Sequence, residues 1–179
     1  MFVVQVPDFL IRLSQEFCAN QKLGKRNDGS DGRPDHQLRG VICQNAILFG
    51  LGLPLMESST DHDGGVDLIL DGVKIDIKST RILGPIKRHH LHQVPEAQLK
   101  FDVDVYIFCA LDDEQMKLSI TGWLTKKQFL HKAIVNKAGD AIMFSGKSYV
   151  NRMSTRYVYA WMVNSEAHNF EELRDHITQ

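Results

Sequence analysis

Two aspartates and a lysine fall on one side of a hairpin that the sequence predicts over residues 63–80, DGGVDLILDGVKIDIKST. Asp71-Gly72 at its centre favours a two-residue type I′ turn, because both turn positions need a positive φ. Closing the chain there places Asp67 opposite Asp76, and side-chain alternation puts Lys78 on the same face. Two carboxylates about 5 Å apart repel each other unless a cation lies between them. The spacing therefore predicts a cation site.

The rest of this hairpin separates apolar from polar side chains. The same turn pairs Leu70 with Val73, Leu68 with Ile75 and Val66 with Ile77, which makes one face wholly apolar. The other face carries Asp67, Ile69, Lys74, Asp76 and Lys78. Alternating charge on a strand is, on its own, typical of a solvated face, and Asp-x-Lys is a common tripeptide. The opposed carboxylates and the apolar reverse face favour a site.

A pair of carboxylates beside an ammonium is the arrangement that metal-dependent phosphodiester hydrolysis requires. Mg²⁺ prefers oxygen ligands and usually binds one or two carboxylates, which leaves positions for water and phosphate. The ion lowers the pKa of bound water and screens the charge on the phosphate. Lys78 would orient the water or stabilise the transition state. Mg²⁺ or Mn²⁺ is therefore the expected cofactor.

Asp67, eight intervening residues and then Asp76-Ile77-Lys78 resemble the motif of the PD-(D/E)XK nucleases, which share a restriction-endonuclease-like fold. Val66 stands where the family name has a proline. The resemblance implies that Asp67, Asp76 and the main-chain carbonyl of Ile77 hold the metal ion. It also implies that Lys78 assists the attack of water.

The helix predicted from Asp35 to Phe49 would, by the same resemblance, contribute a residue to the site. The family often has a glutamate there, a few residues after a glycine; in this sequence Gln44 follows Gly40 by one turn. A glutamine can orient a ligand or a metal-bound water but brings no charge, and it can equally pack at a helix–sheet contact. Other sources of a carboxylate, each more typical of a loop, are Glu57, Asp61 and Asp63.

Positive charge is concentrated in one segment directly after Lys78. Contacts from basic and hydroxyl side chains to phosphates supply much of the affinity for nucleic acids. The segment predicts substrate contacts by Ser79, Thr80, Arg81, Lys87 and Arg88, with His89, His90 and His92 beside them. The alternative is an irregular solvated loop over 84–94. Gln98 occupies a position where the family often has a polar residue near the site.

Length and composition bound the class of protein. The chain has 179 residues, 43% of them hydrophobic, and a formal net charge of −1, which predicts one domain over 1–179 and argues against nonspecific coating of nucleic acid. The cysteines, Cys18, Cys43 and Cys109, form no CxxC pair and predict reduced thiols in a cytoplasmic protein. The first residues lack the basic leader of a secretory signal, and no apolar run has membrane-spanning length. The resemblance to the nuclease family, together with the compact length, implies a bacterial or phage-encoded protein.

The remaining patterns predict an α/β fold. Helices are expected at 7–19 and 35–49, from Thr125 to about Ala133 and from Asn169 onward, the last two with capping residues. Strands are expected at 101–111, 117–124, 141–144 and 157–162, and an exposed loop over 21–34. This order predicts a mixed central sheet flanked by helices, and it is similar to the restriction-endonuclease-like core of a helix followed by a strand meander.

Together these features predict a Mg²⁺-dependent nuclease that hydrolyses phosphodiester bonds in DNA; RNA as substrate and a homodimer as assembly stay open. One alternative keeps the fold as a nucleic-acid-binding or assembly module without catalysis, which the near-neutral charge and Gln44 in place of a glutamate favour. A second is an unrelated interaction protein whose aspartate face is an ordinary solvated sheet edge. No Walker A, GxGxxG or GxSxG sequence is present.

Overall fold

The computed structural model describes residues 1–20, 34–56, 65–144, 147–150 and 153–179. None of the helices in these ranges is long and apolar enough to span a bilayer. The helices are α1 (Asp8–Asn20), α2 (Pro34–Gly50), α3 (Lys126–Lys132) and α4 (Phe170–Thr178), and 3₁₀ turns cover Glu96–Gln98 and Ala160–Met162. The strands are β1 (Phe2–Gln5), β2 (Leu68–Leu70), β3 (Val73–Ile82), β4 (Leu91–Pro95), β5 (Val105–Asp112), β6 (Lys117–Thr125), β7 (Ile134–Asn136), β8 (Ala141–Phe144), β9 (Lys147–Val150) and β10 (Thr155–Tyr159).

A five-stranded mixed sheet forms the centre of the fold, in the order β1-β6-β5-β3-β2. β3 and β5 run parallel, from Ile75 opposite Val105 to Ile82 opposite Asp112, and the other neighbours are antiparallel. A smaller antiparallel sheet has the order β4-β10-β7, and β8 pairs with β9 in a separate hairpin. Strand β3, which carries the predicted Asp-x-Lys motif, is thus an inner strand of the larger sheet.

Strand β5 separates two hydrophobic clusters, because its side chains alternate between the two faces of the sheet. Ile107 and Cys109 belong to the first cluster, which includes buried residues of α1, α2 and α4. Tyr106 and Phe108 belong to the second cluster, to which β4, β10 and α3 contribute. Every residue of β5 is buried, as expected of a central strand with a core on each side. The predicted α/β class with a mixed sheet flanked by helices is confirmed.

Helix α2 is held against the sheet by its burial and by a small polar network. Residues 41–48 are all buried. Asn45 Nδ2 donates to Ser14 Oγ on α1 (3.1 Å), and Asn45 Oδ1 accepts from Met56 N (3.0 Å). Bonds of this kind are costly to leave unmade inside a core, so they fix the rotation of the helix. That rotation decides where Gln44 points.

Several predicted elements are present with shifted ends, and four of the described strands, β1, β4, β7 and β9, are additional. The capping box at Thr125 is confirmed by bonds in both directions with Gln128 (2.9 and 3.1 Å), and Asn169 caps α4. The segment predicted to be irregular contains β4, because His92 and Val94 alternate into the interior. β1, which pairs with β6, was not predicted. Most of the predicted loop, residues 21–33, lies outside the described residues.

Candidate active site

The predicted turn of the hairpin is confirmed. Asp71 and Gly72 have φ angles of 51° and 88°, as a type I′ turn requires. The strands pair Leu70 with Val73 and Leu68 with Ile75, as predicted. Arg174 from α4 makes bidentate contacts of 2.9–3.1 Å with the Asp71 carboxylate, which ties the turn to the last helix.

The predicted pairs Asp67–Asp76 and Val66–Ile77 are wrong, because the ladder ends at Leu68. Asp67 N donates instead to Ile75 O (2.8 Å). Val66 packs against the second cluster whereas Leu68 belongs to the first, so the strict alternation breaks between them. Asp67 Oδ2 accepts a hydrogen bond from Ile77 N at 2.6 Å. In a continued ladder, Val66 O would accept the hydrogen bond from this N–H. A side chain thus replaces the next step of the backbone ladder.

This replacement keeps the two acids close to one peptide group. The Asp67 carboxylate is bonded to the amide of Ile77, and that amide is joined directly to the carbonyl carbon of Asp76. The two aspartates are therefore not directly opposite each other, yet both are next to the Asp76–Ile77 peptide. The Ile77 carbonyl belongs to the following peptide unit. The structure thus places both aspartates next to one peptide group, in a different geometry from the one predicted, and a shared metal ion stays a prediction.

Asp76 and Lys78 form an ion pair inside the protein. The Asp76 carboxylate and Lys78 Nζ are 2.6 Å apart, and the two side chains are 4% and 16% exposed. Lys78 Nζ also donates to Gln98 Oε1 (2.9 Å), so the position of Gln98 near the site agrees with its prediction. Two charges so far from water interact strongly and are screened little by salt. The 3₁₀ turn Glu96–Gln98 thereby orients the lysine.

The charge of Asp76 is also felt by Tyr106, its neighbour across β3 and β5. Burial, and then the charge of Asp76, raise the pKa of Tyr106 to about 12. The phenol is therefore neutral at physiological pH. Among the described residues its hydroxyl has no hydrogen-bond partner. Tyr106 lies in the core, and it also forms part of the wall around the Asp76–Lys78 pair.

Gln44 contacts Asp67 from helix α2. Its Nε2 donates to the main-chain oxygen of Asp67 (2.8 Å), and the side chain is almost fully buried. The amide holds the backbone of Asp67 in place at the end of β2, where the ladder stops. The contact is to backbone, as expected of a glutamine packed at a helix–sheet contact, and a role for Gln44 in orienting a ligand stays a prediction.

Buried thiols lie on the Asp67 side of the sheet. Cys43 and Cys109 are buried, and Cys109 Sγ is 3.8 Å from Lys78 O. A hydrogen bond with Cys43, burial, and the charges of Cys43 and Asp67 raise the pKa of the Cys109 thiol well above its usual range. All three cysteines are free, as predicted from the sequence.

The residues predicted to contact substrate differ in their exposure and in whether a neighbouring group already binds them. Arg81 Nε is 2.8 Å from Asp113 Oδ2, and Arg39 binds the same carboxylate (2.9 Å), so Asp113 partly neutralises both arginines. Thr80 Oγ1 is 2.7 Å from His90 Nε2. Lys87 and Arg88 are exposed, and Ser79 is partly exposed. Arg81 is exposed as well but is paired, so the exposed cations of the segment without an ion pair among the described residues are Lys87 and Arg88.

The buried histidines of this segment do not add positive charge. Burial, and then the neighbouring His90, lower the pKa of His92 to about 3. Burial also lowers the pKa of His90. Neither ring nitrogen of His92 has a hydrogen-bond partner among the described residues. Histidine is neutral well above its pKa, so His92 is an uncharged core side chain that packs on Phe108 (5.3 Å between ring centroids).

The donor set at the hairpin fits a hard divalent ion that keeps part of its water shell. Within the described ranges, no group of three or more His, Cys, Asp or Glu side chains is arranged to hold a metal. Mg²⁺ commonly needs only one or two carboxylates from the protein, and Asp67, Asp76 and the Ile77 carbonyl meet that requirement in type. The further acids considered from the sequence, Glu57, Asp61 and Asp63, lie outside the described residues.

Comparison with known proteins does not assign the chain to a family: no protein-family model, no curated protein and no solved structure matches it.

Proposed function

We propose that this chain is a metal-dependent nuclease with DNA as substrate, on a fold of the restriction-endonuclease-like kind. The observation that carries the proposal is the buried Asp76–Lys78 ion pair, with Asp67 bonded to the peptide between them. Burying two charges costs several kcal/mol per ion, and their mutual attraction offsets this cost only when the geometry and the hydrogen bonds are good. A protein that needed only stability would gain as much from apolar residues at these positions.

In the proposed site, Asp67 and Asp76 hold Mg²⁺ or Mn²⁺ with the Ile77 carbonyl. The ion supplies charge screening for the phosphate and a bound water of lowered pKa. Lys78 presents its ammonium to the attacking water or to the charge that develops on the phosphate. When the carboxylate of Asp76 turns toward a ligand, Gln98 still holds the ammonium in place. Gln44 keeps Asp67 at the end of the hairpin.

The alternative is a nucleic-acid-binding or assembly module without catalysis on the same fold. One observation favours it: the side chain at the position of the family's glutamate is an amide that donates to backbone, so the described site has two carboxylates only. Cleavage assays separate the two functions. The cytoplasmic location, the bacterial or phage source and the homodimer remain predictions from the sequence.

The chain offers a matched pair of lysines for this test. Lys74 and Lys78 lie on the same face of β3, and each pairs with an aspartate, Lys74 with the exposed Asp102. We expect Lys78→Ala to lower the rate of cleavage of labelled DNA in Mg²⁺ or Mn²⁺ by about 10²-fold or more, because the ammonium acts at the reacting phosphate. Lys74→Ala should keep the wild-type rate.

Single- and double-stranded DNA and the matching RNA should all be assayed, with EDTA as the blank. By the family resemblance, Ca²⁺ should support binding with little turnover. If wild-type protein cleaves no substrate with any of these ions, the nuclease proposal is rejected. Equal rates for the two lysine variants would reject the role of Lys78.

A further inference from the structure

The outward face of the smaller sheet carries aromatic residues that the proposed active site does not use. Val158 is fully buried in the second cluster, so alternation along β10 places Tyr157 and Tyr159 on the opposite face. Trp161 follows in the 3₁₀ turn and is 52% exposed. We call Tyr157, Tyr159 and Trp161 the aromatic strip.

The rings of the aromatic strip have a defined arrangement. Tyr159 and Trp161 are 6.3 Å apart between ring centroids, with planes only 10° from parallel. Tyr157 and His89 each meet the Tyr159 ring edge-on, at 5.7 and 5.9 Å. The strip is also tied to the residue before β4, because Ala160 N donates to His90 O (2.9 Å). A surface ordered in advance loses less entropy when it binds a ligand.

Positive charge lies next to the aromatic strip. Arg88 Cζ is 5.7 Å from the centroid of the Trp161 ring, within the range of a cation–π contact. Arg88 and Lys87 are exposed, and within the described part of the chain neither forms an ion pair. The strip therefore combines ring faces with unneutralised cations.

A second exposed aromatic pair shows how specific this combination is. Phe49 is 51% exposed, almost the same as Trp161, and its ring meets Phe9 edge-on at 5.3 Å. In the described ranges, cation–π contacts are made at Trp161 and Phe101 but not at this pair. The phenylalanine pair offers an apolar surface alone, whereas the aromatic strip suits a ligand with both flat rings and negative charge.

We propose that the aromatic strip binds an unpaired segment of single-stranded DNA. Bases stack on Tyr159 and Trp161, and the phosphates between them contact Arg88 and Lys87. Stacking on aromatic side chains tolerates any sequence, because every base has a π face. In a duplex these faces are covered by neighbouring base pairs, so a duplex binds through phosphates only. The inference rests on the proposed function, from which it takes nucleic acid as the ligand. It adds that the substrate contains an unpaired strand.

Binding can be measured without cleavage, by fluorescence anisotropy of a labelled oligo(dT) and a duplex of equal length in EDTA. We expect oligo(dT) to bind at least about tenfold more tightly than the duplex. Trp161→Ala should weaken oligo(dT) binding by about tenfold or more, as loss of one stacked base predicts. Trp161→Phe should retain most of the affinity, and oligo(dT) should quench the fluorescence of Trp161 in wild-type protein.

The control is Phe49→Ala, which removes an aromatic ring of equal exposure from the other surface and should leave binding unchanged. Arg88→Ala should weaken binding and reduce the slope of log affinity against log salt by about 0.7, the value for one phosphate on a single strand. The inference is overturned if Trp161→Ala binds like the control or if the duplex binds as tightly as oligo(dT). Selective binding of oligo(U) over oligo(dT) would replace DNA by RNA as the ligand and also overturn it.

Failure of this inference can be told apart from failure of the proposed function. Asp76→Asn should bind oligo(dT) like the wild type while losing cleavage. Binding that depends on Trp161 in a protein that cleaves nothing would reject the nuclease and leave the strip as a binding surface. Metal-dependent cleavage that is equally fast on duplex and single strand, and unaffected by Trp161→Ala, would reject the strip alone.

Discussion

Strand β3 carries two lysines on one face, and each forms an ion pair with an aspartate. The surroundings of the two pairs differ sharply. Lys74 pairs with Asp102 where the side chains are 41% and 84% exposed, whereas Lys78 pairs with Asp76 where they are 16% and 4% exposed. Exposed pairs are screened by water and contribute little. Buried pairs carry a desolvation cost that attraction barely offsets. The Lys74–Asp102 pair is therefore an ordinary solvated contact, whereas the Asp76–Lys78 pair needs a functional explanation.

Breaking the buried pair should have the largest effect on stability. Lys78→Met leaves the Asp76 charge in the interior without its ammonium, and we expect a loss of about 3–5 kcal/mol in the free energy of unfolding, measured with urea. Lys74→Met should leave the unfolding curve unchanged within error. The double variant Asp76→Asn/Lys78→Met should recover most of the loss while remaining inactive. If the double variant is no more stable than Lys78→Met, burial of an unpaired charge is not the cause.

His92 should make the free energy of unfolding depend on pH. The pKa of His92 is lowered to about 3 in the folded protein and is about 6.5 when unfolded. Between these values the unfolded state binds a proton that the folded state does not, so stability rises with pH up to about 6.5 and then levels off. The slope from this one group is at most about 1.4 kcal/mol per pH unit. In His92→Phe, the urea midpoint should change less between pH 5 and 7 than it does in the wild-type protein. An unchanged dependence of the midpoint on pH would contradict the burial of a neutral ring.

Substitution of Gln44 should have a smaller effect, and it tests whether helix α2 lies next to the proposed metal ion. Gln44→Glu removes the donor to Asp67 O and adds a second negative charge near Asp67. We expect a loss of about 1–2 kcal/mol in EDTA, since a buried acceptor loses its partner. Mg²⁺ should restore part of that stability through its affinity for the folded state. Gln44→Leu should lose similar stability without any recovery in Mg²⁺. Equal responses of the two variants to Mg²⁺ would place Gln44 away from the ion.

These two pairs also show what sequence can and cannot predict. The turn at Asp71-Gly72 was predictable because its requirement for positive φ is local. Opposition of Asp67 and Asp76 was not, because it assumed that pairing continued beyond Leu68. Whether it does is decided by competition between a carboxylate and a backbone carbonyl for Ile77 N–H. Neither pattern nor propensity reports the outcome of that competition.

Contacts between segments that are distant in the sequence could not be predicted either. Gln98 could be named as a candidate, but its bond to Lys78 depends on how β4 passes beside β3. The aromatic strip has a visible signal in the sequence: Tyr157, Tyr159 and Trp161 alternate with smaller residues in YVYAW. Aromatic residues at every second position on an exposed sheet face are a reason to look for a binding surface.

The central claim is that Asp67 and Asp76 hold a divalent ion beside Lys78. Anomalous diffraction from crystals grown with Mn²⁺ tests it most directly. We predict one strong peak about 2.1 Å from an oxygen of each carboxylate and from the Ile77 carbonyl, lost in Asp76→Asn. A map with no peak there, or with Mn²⁺ bound only elsewhere, would contradict the account.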